Sequence, residues 1–417
     1  MIVRPREREI RTETIRSCIQ EHMEGLRRLH RLRAYYDGRH DVLQRNRVSG
    51  LPNCRLVNGF PRYIATMASG YLIGSPVEYR AMDRRQEAAL EAVRRVYREG
   101  RMDSVDAELA RDASVWGKGV EVLYADGRAR PRAAALDARE AFVVYDDTVA
   151  AQPLFGVHVA KRLTPLGETK GAKVMVYTDE RILAFETEDP ARLRREDLRE
   201  IQEHYFSGVP MIEYWNNAEE KGDFEGVMSL IDAYDQLQSD RVNDKQQFVD
   251  ALLVLYGCSL EADERGRSPG QQLREDKAIA LPDCDARAEW LCKQLNEADT
   301  EVLKNALKDD IHKMSMVPDL TDQQFAGNAS GVAMRYKLLG LEQLTKIKER
   351  WFREALLTRL HRVAGFLGRQ GALRLDPERV ELIFTRALPV NELEEAQTVN
   401  LLRGLVDDEE LRRRVGA

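Results

Sequence analysis

Residues 316–351, MVPDLTDQQFAGNASGVAMRYKLLGLEQLTKIKERW, decide how this chain is interpreted. A loop rich in Asn, Gly and Ser (317–330) separates two helical segments, and a long amphipathic helix follows it. Loops of about 14 residues without secondary structure are uncommon in compact domains and are usually functional. The helix carries no residue pattern typical of catalysis. The stretch therefore predicts a functional loop on a mechanical element rather than an active site.

The composition limits the class of protein. A chain of 417 residues predicts two or three domains or one elongated subunit. Its 43% hydrophobic content is enough for a core, and its apolar runs are far shorter than a membrane span requires. Charged residues replace the apolar centre of a signal peptide near the start, so we expect a cytosolic protein. Five scattered cysteines without CxxC spacing argue against disulfides and a zinc site.

The net charge of −6 argues against tight binding to DNA, because phosphate neutralisation by basic residues supplies most of that affinity. It remains compatible with a surface past which DNA slides. Asp232, Asp235, Asp240 and Asp244 punctuate a predicted helix, and the last two share a face because they lie one turn apart. Two interpretations stay open for these aspartates: a solvated helix face, or an acidic bore that repels phosphate.

The periodicity changes several times along the chain. Residues 4–45 predict a charged helix, and Pro61 predicts the start of another. Between residues 115 and 215 the period is two, which indicates a mainly antiparallel sheet. Residues 223–255 then predict one helix about 50 Å long. The remaining predictions are a polar insertion at 257–291, a returning helix at 296–315, a long helix at 331–367, a strand at 380–385 and a charged helical tail at 391–414.

Enzymatic motifs are absent from the sequence: it contains no P-loop, HExxH, GxSxG or zinc-deaminase pattern. Asp146 and Asp147 follow an apolar strand, and paired carboxylates at a strand end can hold Mg²⁺. Asp pairs also form ordinary turns, and no third acidic residue is in phase with this pair. The sequence thus predicts no metal site and no cofactor, and we expect a protein that is not an enzyme.

Five stretches resemble the portal proteins of tailed bacteriophages of the siphophage type, and they occur in the order of that family. They are PNCRLVNGFPRYIATMASGYLIGSPVEY, FVVYDDTVAAQPLFGV, the run from VPMIEYWNNAEEKGDFEGVM to QQFVDALLVLYG, FAGNASGVAMRYKLLGLEQLTKIKERWF and LPVNELEEAQTVNLL. The resemblance implies an α+β portal fold. Its expected parts are a β-rich wing (1–222), a stem helix (223–253), a small inserted clip (254–295), a returning stem helix (296–316), a tunnel loop (317–330), a long wing helix and strand (331–390) and a short or truncated helical crown (391–417).

The resemblance also implies a function. It predicts a ring of twelve subunits at one capsid vertex of the virion, assembled in the host cytoplasm, through which double-stranded DNA is packaged and ejected. Expected partners are the terminase large subunit, a head-completion or adaptor protein, scaffold and the major capsid protein, with no membrane. Within the tunnel loop, Gly327 and Gly331 are the expected hinges. The expected DNA-facing residues are Gln323, Gln324, Phe325, Asn328 and Ser330, of which Ser330 is also a candidate helix N-cap.

Two other classes remain as alternatives at this stage. One is a metal-dependent nucleic-acid enzyme that uses Asp146 and Asp147, and the other is a helical scaffold without a channel.

Overall fold

The computed structural model describes residues 1–7, 9–46, 52–248, 252–256, 287–291, 297–320, 336–372 and 374–386. The chain divides into two compact units. The first unit contains residues 1–39, 59–229 and 311–417, and the second contains residues 40–58 and 230–310. Helices and strands are mixed, which agrees with the predicted α+β class.

Seven α-helices lie in the described residues. In chain order they are α1 (Thr12–Tyr36), α2 (Phe60–Ile73), α3 (Glu87–Gly100), α4 (Met102–Trp116), α5 (Met228–Phe248), α6 (Glu297–Ser315) and α7 (Leu339–Arg369). Pro61 lies in the first turn of α2, as predicted, where its missing N–H leaves no hydrogen bond unmade. Residues 87–114 predict one helical region, whereas the structure has two helices there, because Arg101 has a left-handed backbone with φ of 51°.

The strands form four sheets. In chain order they are β1 (Ile2–Arg4), β2 (Glu78–Ala81), β3 (Lys118–Ala125), β4 (Pro131–Leu136), β5 (Ala141–Asp146), β6 (Pro153–Leu163), β7 (Thr169–Tyr177), β8 (Arg181–Thr187), β9 (Leu198–Glu203), β10 (Met211–Trp215), β11 (Leu252–Tyr256), β12 (Arg287–Leu291) and β13 (Val380–Ile383). The largest sheet has the order β1-β5-β6-β7-β8-β9, in which only β1 and β5 are parallel. A second sheet has the order β10-β3-β4, and β2 pairs with β13 and β11 with β12.

The predicted helix at 223–255 is wrong at both ends. Helix α5 spans only Met228–Phe248, about 32 Å at 1.5 Å per residue, and Leu252–Tyr256 is a strand. The run LLVLY is continuously apolar, and periodicity alone cannot separate a short apolar strand from buried helix. Pairing with β12, more than thirty residues further along the chain, decides the matter. Helix α5 is therefore shorter than predicted.

Two apolar cores hold the first unit together. In the smaller core, α1 packs on the six-stranded sheet, and Ile15, Cys18 and Ile19 contact residues that include Phe142 and Val174. Burial raises the pKa of the Cys18 thiol to about 11. The larger core joins α2, α3, α4, the β10-β3-β4 sheet and α7. Each core lies between helices and one face of a sheet, the usual arrangement of α+β domains.

The apolar positions of residues 331–367 predict one buried stripe that includes Leu341, Ile347, Leu356, Leu360 and Val363, and α7 buries only part of it. Leu341, Leu356, Leu360 and Val363 are buried as expected, whereas Ile347 is 49% exposed. Lys348 and Arg359 are buried instead, at 2% and 0% exposure. A pattern that counts only apolar residues assigns charged residues to the surface, so it shifts the stripe.

Arg359 is neutralised in the core by carboxylates from two other elements. Its guanidinium lies 2.5 Å from Asp106 of α4 and 2.7 Å from Glu121 of β3. Tyr214 of β10 donates a hydrogen bond of 2.8 Å to Glu121. Burial raises the pKa of Asp106 to about 6, although Arg359 acts in the opposite direction. One cation thus connects α4 and α7 to β3, the central strand of the β10-β3-β4 sheet.

A second buried cation fixes the chain just before α5. The Lys348 ammonium pairs with Asp223, whose carboxylate also accepts hydrogen bonds from Ser114 (2.5 Å) and from Asn216 (2.8 Å). Lys348 and Asp223 are both nearly inaccessible to solvent. This cluster sets where the chain turns from β10 towards α5.

We predict that Arg359→Met lowers the free energy of unfolding by about 3–5 kcal/mol, because Asp106 and Glu121 are left as uncompensated buried carboxylates. Chemical denaturation of the variant and the parent measures the difference. Arg350→Met, at an exposed position of the same helix, is the matched control and is expected to change stability by less than about 0.5 kcal/mol. Equal stability of the two variants would contradict the role assigned to Arg359.

Candidate functional site

The predicted loop residues lie outside the described residues. This applies to Gln323, Gln324, Phe325, Gly327, Asn328, Ser330 and Gly331. The chain is described up to Leu320 and again from Tyr336, so the structure gives the two ends of this segment. The predicted crown at 391–417 and most of the predicted clip also lie outside the described residues.

The outgoing end is fixed on α2. Val317 is fully buried, and its carbonyl oxygen lies 2.9 Å from Nδ1 of His312. The Tyr63 hydroxyl donates a hydrogen bond of 2.8 Å to Pro318 O and accepts one of 3.1 Å from Leu320 N. Burial raises the pKa of Tyr63. The Tyr63 hydroxyl therefore holds the carbonyl of Pro318 and the amide of Leu320, directly before the description of the chain ends at residue 320.

Aromatic contacts also stabilise this anchor, by which we mean the bonds of Tyr63 to Pro318 and Leu320. The His312 ring makes edge contacts with Phe60 and Tyr63, at centroid distances of 5.8 and 5.7 Å. Edge-to-face pairs of this kind add stability beyond the area they bury. His312 belongs to the end of α6, so the anchor joins α6 to α2 directly before the chain leaves towards residue 321.

The chain that follows this segment returns to the position of Met316. A side chain added at Gly340 would lie 3.5 Å from Met316 O, and the neighbouring Leu338 and Leu341 are buried. The chain thus leaves at Met316 and returns at Gly340 within contact distance. The two described ends of this segment therefore lie next to each other.

Helix α5 is held by a ladder of side-chain hydrogen bonds in the second unit. Backbone amides at every second residue of the segment 52–58 donate to side chains at every fourth residue of α5. The bonds run from Cys54 N to Asn243 Oδ1 (2.6 Å), from Leu56 N to Ser239 Oγ (2.9 Å) and from Asn58 N to Asp235 Oδ1 (2.8 Å).

The two spacings match for a geometric reason. Two residues of extended chain span about 6.6 Å, and four residues of an α-helix rise about 6.0 Å. An extended segment running antiparallel to the helix can therefore place successive amides opposite Asp235, Ser239 and Asn243. Sequence reasoning missed this ladder, although the polar i, i+4, i+8 spacing on an otherwise mixed helix was a usable signal.

The predicted acidic face on α5 needs correction. Asp235 is fully buried and its carboxylate lies 2.5 Å from Nδ1 of His40, so it is not part of an exposed face. Asp240 pairs with Arg45 at 2.9 Å and its side chain is 30% exposed. Asp232 and Asp244 are half-buried, and their place in a channel stays a prediction.

Asp146 has a structural role. Its Oδ1 accepts hydrogen bonds from the Thr148 hydroxyl (2.6 Å), Thr148 N (3.2 Å) and Gln152 N (3.0 Å), and its side chain is buried. The bond from Thr148 lowers the pKa of Asp146. This carboxylate organises the β5–β6 turn, and no group of three or more metal-ligating side chains occurs within the described residues.

Among the helices in the described residues, none combines the length and the apolar content that crossing a membrane requires.

Comparison with known proteins identifies a family. A family model described as phage portal protein, SPP1 Gp6-like, matches residues 15–416. Over 208 residues the chain is 25% identical to the portal protein of Clostridium phage phiCD119, a match that covers 49% of this chain and 44% of that protein. Over 382 residues it is 23% identical to the portal protein of Bacillus phage SPP1, covering 88% of this chain and 73% of that protein. The chain thus spans less than half the length of the first relative and about three quarters of the second.

Two solved structures resemble the fold at low identity. One is the virion of a native gene transfer agent particle, with a TM-score of 0.49 and 11% identity over 94% of this chain and 93% of that chain. The other is the neck of an empty gene transfer agent particle, with a TM-score of 0.46 and 12% identity over 86% and 90%.

We predict that Ser239→Ala raises the hydrogen-exchange rate of the Leu56 amide about fivefold, because one neutral hydrogen bond of about 1 kcal/mol is lost. Alanine favours helix, so α5 itself is expected to stay folded. Hydrogen exchange read by mass spectrometry at residue resolution measures the effect. Gln236→Ala, at an exposed position of the same helix, should leave Leu56 protected. Unchanged protection in Ser239→Ala would contradict the ladder.

Tyr63→Phe is predicted to release the outgoing end of the loop. The variant loses the bonds to Pro318 O and from Leu320 N while it keeps the ring contact with His312. We expect limited proteolysis within residues 317–338 to become several-fold faster, with the melting temperature nearly unchanged. Tyr205→Phe, at a 59% exposed tyrosine, is the control. If both variants are cleaved as slowly as the parent, the anchor does not restrain the loop.

Proposed function

The chain belongs to the SPP1 Gp6-like family of phage portal proteins, and on that premise we propose that it forms a ring channel at a capsid vertex through which double-stranded DNA is packaged and ejected. The observation that carries this proposal is the family match over residues 15–416, almost the whole chain. Proteins of this family are structural components of phage particles rather than enzymes. We propose the same for this chain, with no cofactor.

The parts of the portal are assigned as follows in this proposal. Residues 1–222 and 331–390 form the wing, α5 and α6 form the stem, and the residues between these helices form the clip. Residues 317–330 form the tunnel loop, with Gln323, Gln324, Phe325, Asn328 and Ser330 facing DNA, and residues 391–417 form a short crown. The closely spaced, anchored ends at Met316 and Gly340 support the tunnel-loop assignment, because a loop that meets moving DNA needs a firm base.

The partners in this proposal follow from the position of a portal in the particle. They are eleven further copies of the chain, the terminase large subunit, a head-completion protein, scaffold and the major capsid protein. The negative net charge supports passage without adhesion, since acidic side chains repel phosphate.

The alternative of a metal-dependent enzyme lacks support. Asp146 is committed to hydrogen bonds within its own turn, and Asp147 has no neighbouring carboxylate cluster within the described residues.

The experiment that tests the proposal has two stages. Negative-stain electron microscopy and native mass spectrometry of the purified protein should give rings with a central hole and a mass of twelve times 47.7 kDa. Deletion of residues 323–330 should then leave the rings intact and reduce the nuclease-protected DNA per capsid. Replacing the β6–β7 turn at 164–168 by a two-residue turn is the control and should leave packaging intact. A compact particle without a hole would overturn the ring, and normal packaging by the deletion variant would overturn the role of the loop.

A further inference from the structure

The second unit has two chemically different outer surfaces on opposite sides of α5. On one side lies the segment 52–58, bonded to the ladder that includes Ser239. On the other side lies α6, because Arg241 pairs with Glu301 at 3.1 Å. Arg241 follows Ser239 by two residues, which is about 200° around an α-helix. Helix α5 is therefore enclosed between the segment and α6.

The first outer surface is acidic and partly apolar. Asp310 follows Glu301 by nine residues, about 180° around α6, and so points away from α5. Val302 is 69% exposed and Leu303 is 50% exposed on this outer half of the helix. Residues 297–310 contain five carboxylates and two lysines. Within the described residues, Asp309 and Asp310 are exposed and make no hydrogen bond or ion pair. We call Val302, Leu303, Ala306, Asp309 and Asp310 the acidic surface.

The second outer surface is basic and also partly apolar. Arg55 is exposed, and its guanidinium donates to two neutral oxygens, Leu43 O (2.6 Å) and Asn46 Oδ1 (3.3 Å). Leu43 is 37% exposed and Leu56 is 36% exposed beside it. In the described part of residues 40–58, Arg45 pairs with Asp240, whereas Arg55 has no carboxylate partner. We call Leu43, Arg55 and Leu56 the basic surface.

We propose that the acidic surface of one copy packs against the basic surface of a second copy of this chain. Each surface offers two exposed aliphatic side chains to the other, and the charges are of opposite sign. A contact between two different surfaces is heterologous, and repeated by rotation it closes a ring. Packing of one surface on its own kind would oppose like charges, which disfavours a two-fold dimer. This inference rests on the proposed ring and names the surfaces that the second unit contributes to it.

The contact contributes substantially to the stability of a ring because the same ion pair occurs at every junction. A single ion pair at the rim of an interface contributes roughly 0–1 kcal/mol. In a ring the same pair occurs at every junction, and each chain uses both surfaces, so reversal of one charge acts on every contact at once. Charge reversal therefore reports on assembly more strongly than on the fold of a single chain.

The test is a charge exchange in the full chain, read by native mass spectrometry and negative-stain electron microscopy. Arg55→Glu alone, and Asp309→Lys with Asp310→Lys, should each lower the fraction of chain in rings at least tenfold at moderate salt. The variant that carries all three substitutions should recover rings. An equimolar mixture of the two separate variants should also recover them, because every junction in an alternating ring then joins opposite charges.

The controls separate this contact from the fold and from the ring itself. Arg128→Glu, in the exposed β3–β4 turn, should keep full ring formation, and circular dichroism should be the same for all variants. If the parent chain forms rings and the charge reversals form them equally well, or if the combined variant fails to recover, this contact is overturned while the proposed function stands. If the parent chain forms no ring under any condition, the proposed function and this inference both fall.

Discussion

The buried positive charge of Arg359, on α7, constrains the rest of the first unit. Arg359 is fully inaccessible to solvent, and a guanidinium cannot release its proton there, so carboxylates must accompany it. Asp106 and Glu121 come from α4 and β3, and Tyr214 completes the cluster from β10. Apolar packing allows small shifts between helix and sheet, whereas a guanidinium between two carboxylates allows only one register. The cluster therefore fixes α7, and with it Gly340 near the start of the helix, relative to the β10-β3-β4 sheet.

A second constraint of the same kind acts in the other unit. The segment 52–58 has no strand partner among the described residues, yet three of its amides are bonded to the side chains of α5. The near equality of two extended residues and four helical residues makes this possible. Asp235 also accepts a hydrogen bond of 2.8 Å from the Asn58 side chain and pairs with His40. Its carboxylate therefore has its partners inside the protein. An aspartate that looks like part of a solvated face can thus be a structural group.

The sequence predicts much of this fold and little of its polar interior. The period-two strands, the helix start at Pro61 and the returning helix at Glu297–Ser315 follow from local patterns and are confirmed. The strand Leu252–Tyr256 could not be assigned, because its partner lies beyond a long insertion. The burial of Lys348 and Arg359 cannot be predicted from hydropathy, because hydropathy carries no information about a carboxylate contributed by a distant element. The family, by contrast, is recognisable from five short stretches, because they occur along the chain in the order of the family.

The distribution of charge between α5 and α6 follows from these constraints. Of the four acids that the sequence marks as a face of α5, Asp235 lies in a buried pair with His40 and Asp240 in an ion pair with Arg45. Only acids without an internal partner can act on something outside the chain, and in this unit Asp309 and Asp310 of α6 meet that condition within the described residues. Such residues can repel passing phosphate or attract a neighbouring arginine, and both effects weaken with salt. Arg55 is exposed on the opposite side of the same unit. In a ring, Arg55 of one copy can therefore attract Asp309 and Asp310 of the next copy at every junction. That attraction would place both aspartates in the contact between copies rather than in the bore.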